Sequence, residues 1–338
     1  MPDALTDLLR TRDWLLADGA TGTTLFNMGL MSGDAPELWN ETETDKVRAL
    51  YRGAVEAGSD LFLTNTFGGN AARLKLHGAE ARAGELSRMG AEIGREIADG
   101  AGRPVIVAGS MGPTGEIMAP MGPLTHEAAV EIFHQQADGL KAGGADVLWV
   151  ETISAPEELR AAAEAAALAD MPWCVTMSFD TAGRTMMGTT SEAMTRLIGK
   201  LDHKPVAYGA NCGTGASDLI RTIMGFGATD RPLIAKGNAG IPKYVDGHIH
   251  YDGTPDLMAH YAVLARDAGA TIIGGCCGTT PEHLRAMRTA LETRPAGGAP
   301  DLDDVVARLG AFSSDSDGTD GRAPTRDRSG NRRRRART

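Results

Sequence analysis

Cysteine and aromatic residues are scarce in this chain: four cysteines among 338 residues, and 5% Phe, Trp and Tyr. Four cysteines at this length do not make a disulfide scaffold, and Cys276 and Cys277 are neighbours that could not bridge each other without strain. No apolar run reaches the roughly 20 residues of a membrane span. The first ten residues lack the pattern of a secretory leader. The expected location is therefore a reducing cytoplasm, where clustered cysteines point to a metal or to catalysis. Excess positive charge is also missing. The net charge is −10, and the segment from Ser313 onward holds eight Arg and four Asp, which contribute +4 and leave −14 for the body. An acidic body argues against nucleic acid as the main partner.

What the chain does have is alternation. Short apolar runs recur at residues 14–18, 60–64, 104–109, 146–151, 173–179, 206–211, 233–236 and 271–274. They read as buried parallel strands. Between them, apolar residues spaced at three and four predict helices over 45–56, 81–99, 126–142, 156–168, 191–201, 216–225, 255–268 and 281–292. Thr254-Pro255-Asp256 and Thr280-Pro281-Glu282 carry the N-cap pattern of helix starts. Eight strand-then-helix units predict a single α/β domain over residues 1–295, a (β/α)₈ barrel. An open doubly wound sheet is the alternative, but it usually has fewer strands. A further helix is expected within 301–312, then a disordered polar tail over 313–338 with an Arg cluster at Arg332–Arg335. Three long loops, at 27–41, 111–124 and 236–254, fall after strands one, three and seven. In a barrel that is the C-terminal face, where sites are built.

Polar residues collect where the strands end. They are Asp18-Gly19-Ala20-Thr21-Gly22, Thr64-Asn65-Thr66-Phe67, Glu151-Thr152, Asn211-Cys212-Gly213, Asn238-Ala239-Gly240 and Gly274-Gly275-Cys276-Cys277-Gly278. Each alone could be a turn or a cap; six on one face point to a site. Cys276 and Cys277 can share a metal only beyond the strand, because successive strand residues face opposite ways. The flanking glycines allow that. Cys212 ends strand six and can converge on the same point. Three thiolates predict a Zn²⁺ site with one open position, the mark of a catalytic zinc. Such a zinc is suited to binding a substrate thiol and making it a thiolate for alkylation. Cys174, inside strand five, reads as a core residue. A phosphate site in the glycine-rich segment is the rival reading, although phosphate favours N–H donors over sulfur. His248 and His250 have metal-like spacing but no carboxylate cluster nearby.

With these motifs in order over about residues 14–293, the chain resembles the homocysteine S-methyltransferase family. That family includes betaine–homocysteine methyltransferases, S-methylmethionine-using enzymes and the homocysteine module of cobalamin-dependent methionine synthase. The matching segments also include Gly58-Ser59-Asp60, Gly112-Pro113-Thr114, Asn238-Ala239-Gly240-Ile241-Pro242 and Gly278-Thr279-Thr280-Pro281. The resemblance implies that Cys212, Cys276 and Cys277 hold zinc and that methionine is formed from homocysteine. It implies that Glu151 binds the homocysteine ammonium with Asp18 close by. Main-chain groups around Gly19 and Thr64 would hold the amino-acid end, with Phe67 and Asn211 as further substrate contacts.

The donor end departs from the family's betaine branch, whose aromatic positions are here Asp34 and Gly68. Trp39, Phe67 and Tyr244 are the residues left to form another cage for an onium methyl donor such as betaine. The segments Thr64–Phe67, Ala182-Gly183-Arg184-Thr185 and Gly188-Thr189-Thr190 resemble the methionine synthase module more closely. That implies an alternative: a free-standing module taking its methyl group from a separate methylcobalamin protein. A sulfonium donor is a third option. The competing class is a non-catalytic zinc- or thiol-binding protein.

Overall fold

The computed structural model describes residues 3–245 and 248–318, with the side chains of 242–250 outside the described set. Eight parallel strands form one sheet: β1 (Leu15–Leu16), β2 (Leu61–Leu63), β3 (Ile106–Met111), β4 (Val147–Ile153), β5 (Trp173–Met177), β6 (Ala207–Cys212), β7 (Leu233–Gly237) and β8 (Ala270–Gly275). The sheet runs from β1 through β8 and down to β2, so its two end strands are neighbours in sequence and the ring is nearly closed. The predicted barrel, rather than the open sheet, is what forms.

Strand parity sets the interior. Leu15, Leu61, Leu63, Ile106, Ala108, Val147, Trp149, Cys174, Ala207, Ile234 and Ile272 fill the lumen as one apolar cluster. The residues between them, such as Leu16, Phe62, Val107, Leu148, Val175, Tyr208, Ala235 and Ile273, face the surrounding helices in a second cluster. Counting onward by two along each strand puts Ser110, Glu151, Thr176, Asn211 and Lys236 in the next inward layer. The barrel thus changes from apolar to polar along its axis, toward the C-terminal strand ends.

The β1–β2 seam is closed partly by side chains. The Asp60 amide donates to Leu16 O at 2.6 Å, and the Leu16 amide donates to Asp60 Oδ2 at 2.9 Å. Higher up, the Leu63 amide donates to Asp18 Oδ2 at 2.8 Å. Asp60 is in turn ringed by Arg12, by Arg103 at 3.7 Å and by Arg288 at 3.0 Å.

Eight helices follow the strands: Thr44–Glu56, Ala83–Asp99, His126–Ala142, Pro156–Leu168, Ser191–Gly199, Ala216–Met224, Pro255–Asp267 and Pro281–Thr293. Several elements were not anticipated, among them the short helices Gly22–Asn27, Trp39–Thr42 and Ala71–Leu74 in the loops after β1 and β2. Helix Ala4–Thr11 precedes β1, with Asp3 as its N-cap, and inserts Leu5 into the lumen cluster from below. Complete burial of that leucine contributes roughly 2 kcal/mol. The long loop after β7 contains a hairpin, in which Pro242–Val245 and His248–Tyr251 pair antiparallel.

The helix expected within 301–312 is Leu302–Leu309. Beyond it, the Ser313 amide donates to Asp218 Oδ2 at 3.0 Å, and Arg221 Nη1 donates to Ser314 O at 2.8 Å. Gly318 then lies against Gly183, in the loop after β5. The remainder of the expected tail, including Arg332–Arg335, lies outside the described residues. Among the described residues no helix is long and apolar enough to cross a membrane.

Candidate metal centre and active-site pocket

Three cysteines meet at the C-terminal ends of β6 and β8. The Sγ atoms of Cys212, Cys276 and Cys277 all lie within 4.8 Å of one another, and those of Cys212 and Cys276 are 2.9 Å apart. Each position has a local cause. Cys212 closes β6 in the left-handed region, at φ 56°, which turns its sulfur toward the axis. Strand β8 stops at Gly275, freeing Cys276 and Cys277 from strand alternation. Gly278 takes φ 77°, and a Cβ there would lie 2.4 Å from the Tyr251 Cβ, so the turn tolerates only glycine.

Two asparagines hold the sulfur-bearing segments. Asn211 Nδ2 donates to Thr152 Oγ1 at 2.8 Å and reaches Cys212 Sγ at 3.4 Å and Cys276 Sγ at 3.8 Å. Its Oδ1 accepts from the Thr152 amide at 3.0 Å and from Thr176 Oγ1 at 2.7 Å. Asn238 Nδ2 donates to Gly213 O at 3.0 Å, and its Oδ1 accepts from the Cys277 amide at 3.0 Å. Among themselves the thiols share protons. Hydrogen bonds from Cys212 and Cys276, joined by one from Tyr251, hold the Cys277 thiol well below its ordinary value. The bond to Cys276 first, then that to Cys277 and burial, hold Cys212 well above it.

A tetrahedral zinc at about 2.3 Å from each sulfur wants its ligands roughly 3.8 Å apart. The observed sulfurs lie within 4.8 Å of one another, with Cys212 and Cys276 drawn closer than that at 2.9 Å; the cluster offers only sulfur and opens on one side into a cavity. The residues present therefore fit a thiophilic metal with one free position. Cys174 lies elsewhere, inside the lumen cluster, and burial raises its thiol pKa far above the ordinary range.

Beside the sulfurs sits a charged layer. Lys236 Nζ contacts Asp18 Oδ1, and Asp18 O at 3.4 Å. Burial works to strip Lys236 of its charge, but Asp18 and Glu151 outweigh it and the pKa ends above its usual value. Ser110 Oγ donates to Glu151 Oε1 at 2.5 Å. Burial pushes Glu151 up to about 7, opposed by the Lys236 charge and the Ser110 bond, and reinforced by Cys276 and Asp18.

The cavity above has a volume of about 520 Å³. Its lining includes Gly19, Thr64, Phe67, Glu151 and the three cysteines, together with Ser110 and Lys236. Gly112 makes room for Phe67: a Cβ there would lie 2.6 Å from the Phe67 ring and carbonyl. Asp18 is close by but does not line this cavity, since its two carboxylate oxygens are taken by Lys236 and the Leu63 amide. Asn211 acts behind the sulfurs rather than in the lining. Trp39 is also outside the lining and stacks instead under Lys46, 4.3 Å from the ring centroid. The side chains of Tyr244, His248 and His250 lie outside the described set, so the proposed aromatic and histidine contributions are not placed.

Sequence reasoning missed Lys236, Ser110, Tyr251 and the bridging role of Asn238. A lysine inside an apolar strand was the available signal, because a buried ammonium requires a counter-charge.

The homocysteine S-methyltransferase family model matches residues 15–291. The chain belongs to the homocysteine S-methyltransferase family. Its three clustered cysteines are a site fit for a metal. The chain is 31% identical over 314 residues to a methionine synthase of Mycobacterium leprae (strain TN), covering 87% of this chain and 26% of that protein. A methionine synthase of Mycobacterium tuberculosis (strain ATCC 25618 / H37Rv) is 31% identical over 304 residues, covering 85% and 25% respectively. The chain therefore spans about a quarter of these relatives' length. Among solved structures, the metallated form of the Escherichia coli homocysteine methyltransferase MmuM superposes with TM-score 0.69 at 25% identity, covering 85% of this chain and 99% of that one.

Proposed function

We propose that this protein is a zinc-dependent homocysteine S-methyltransferase that forms methionine from a small onium methyl donor, with betaine among the first to test. The observation that carries the reading is the convergence of Cys212, Cys276 and Cys277 at the inner end of a cavity that also holds Glu151. When bound, zinc supplies a Lewis acid that lowers the pKa of a substrate thiol while leaving its sulfur nucleophilic.

The chain's own groups do the rest. Cys212, Cys276 and Cys277 hold the metal, and Asn211 and Asn238 fix those ligands. Glu151 receives the homocysteine ammonium, held in place by Ser110 and kept in a field of mixed sign by Lys236. Gly19 and Thr64 line the amino-acid end, and Phe67 excludes water beside it. In the transfer the sulfur gains the methyl carbon, the onium atom keeps the bonding pair, and the thiol proton goes to solvent.

The test is metal analysis of the purified chain alongside X-ray absorption at the zinc edge. Three sulfur neighbours should rise to four on adding homocysteine, and Cys276→Ala should lose metal and methionine formation together. An active Cys276→Ala protein without metal would sink the reading.

A second reading is favoured by the relatives, both methionine synthases of which this chain spans a quarter. In it the donor is a methylated corrinoid carried by a separate protein. Assaying betaine, a sulfonium and a methylcorrinoid protein side by side separates the two.

A further inference from the structure

The cavity has a second charged constellation that the acceptor chemistry does not use. It lies on the loops after β1 and β2, not at the strand ends. Glu37 is 3% exposed, and its carboxylate is met by backbone N–H groups alone, with Oε1 accepting from the Gly68 amide at 2.6 Å. Arg73 lines the same cavity with His77. Asn70 caps the turn Ala71–Leu74, accepting from the Arg73 amide at 3.1 Å and reaching Gly112 O and Pro113 O at 3.4 Å. The Arg73 backbone is thereby fixed to a buried anchor. Its guanidinium makes no hydrogen bond and no ion pair among the described residues, although its field reaches both Glu37 and Glu158.

A half-buried, backbone-fixed guanidinium without a partner suits a carboxylate, which it can hold with two parallel hydrogen bonds. A buried carboxylate in the same wall suits a positive charge. Resting on the small-onium reading of the site, we infer that Arg73 and Glu37 form the donor subsite and select onium compounds that carry a carboxylate. Arg73 takes the donor's carboxylate, and Glu37 faces its cationic end. This clamp does the work that an aromatic cage would do for a bare onium group, at a site where the aromatic positions of the betaine branch are Asp34 and Gly68.

The experiment compares donors that differ only in the carboxylate, on the zinc-loaded full chain with homocysteine present. Betaine and dimethylsulfonioacetate carry it; tetramethylammonium and trimethylsulfonium do not. Arg73→Ala should raise KM for the first pair about ten- to a hundredfold, the range of a charge-assisted hydrogen bond. Its kcat at saturation and its homocysteine KM should stay within about threefold, and Arg73→Lys should recover part of the loss. Calorimetric titration of betaine should weaken in parallel. Glu37→Gln should weaken all four onium compounds alike.

Equal losses across all donors in Arg73→Ala would overturn the assignment, as would a rise confined to homocysteine KM. If the wild-type protein turns over no onium donor but still gains a fourth sulfur neighbour from homocysteine, the subsite is refuted and the acceptor reading stands. If homocysteine adds no sulfur neighbour, the acceptor reading itself fails.

Discussion

Asn238 and Cys277 are joined by a 3.0 Å hydrogen bond from the Cys277 amide to the asparagine Oδ1, while the other end of the same amide group holds Gly213 O, also at 3.0 Å. One side chain thus spans the two segments that carry the cysteines. The convergence of thiols from β6 and β8 depends on this bridge as well as on strand order.

Asn238→Ala should therefore loosen the metal more than the fold. Supporting groups behind metal ligands are typically worth ten- to a hundredfold in affinity. Competition with a calibrated chelator should show zinc affinity falling by about that factor. The melting temperature of the protein stripped of metal should drop only a few degrees. An unchanged affinity would mean that the cysteine loops hold their own geometry.

Glu151 sets a pH signature. Its folded pKa of about 7 lies above the ordinary carboxylate value of 4.5. Its contribution to stability is therefore fully present below about pH 4.5 and is lost as pH rises through about 7, roughly 3 kcal/mol in all. If Glu151 receives the homocysteine ammonium as proposed, it must be ionised to do so, and homocysteine affinity should rise through the same window. Metal binding of a thiol also releases a proton, so the measurement is a difference. KM for homocysteine should fall more steeply between pH 6 and 8 in the wild type than in Glu151→Gln, and the variant's KM at pH 8 should be about ten- to a hundredfold higher. Parallel profiles would remove Glu151 from the ammonium site.

Asp60 offers a test of the barrel seam away from the chemistry. Its 1%-exposed carboxylate accepts from the Leu16 amide and is surrounded by three arginines. Removing one partner of a buried ionic group leaves the others uncompensated, at a cost of about 3–5 kcal/mol. The arginines are partly exposed, which places Asp60→Ala near the lower figure. Urea unfolding should report a loss of about 3 kcal/mol with the m-value unchanged. A loss below about 1 kcal/mol would show that the Asp60 amide and the Leu63–Asp18 bond secure the seam without the Asp60 carboxylate.

Cys174→Ala separates thiol from site. This residue sits in the lumen among Trp149, Ala207 and neighbouring strands, apart from the sulfur cluster. Stability should fall by about 1 kcal/mol through the small cavity left behind. Zinc stoichiometry and methionine formation should be unchanged, as read by metal analysis and a turnover assay.

The barrel was legible because its cause is local. Short apolar runs and the three-and-four spacing of helices are printed in consecutive residues, and all eight predicted strands carry a strand of the sheet. The cysteine centre was legible for a similar reason: three thiols at strand ends leave few ways to be arranged. What escaped notice depends on partners distant in sequence. Lys236 is satisfied by Asp18, 218 positions earlier, and Asn238 by Cys277, 39 positions later. Helix Ala4–Thr11 does carry Leu5, Leu8 and Leu9 at three-and-four spacing, but at eight residues it is short and stands outside the strand-then-helix alternation. The clamp of Glu37 and Arg73 lies on two separate loops, where no spacing rule connects them.

Helix Ala4–Thr11, which plugs the lumen from below, gives the molecule a direction. The chain enters at the floor, whereas its described end, Gly318, rests on the loop after β5 at the same face as the cysteines. A fusion partner attached at the N-terminus would sit a full barrel length from the cavity. One attached after Gly318 would start at the rim. A methyl-carrying protein tethered at that end would need only a short flexible linker to raise its local concentration at the cavity to the millimolar range, while the same tether at the other end would have to span the barrel.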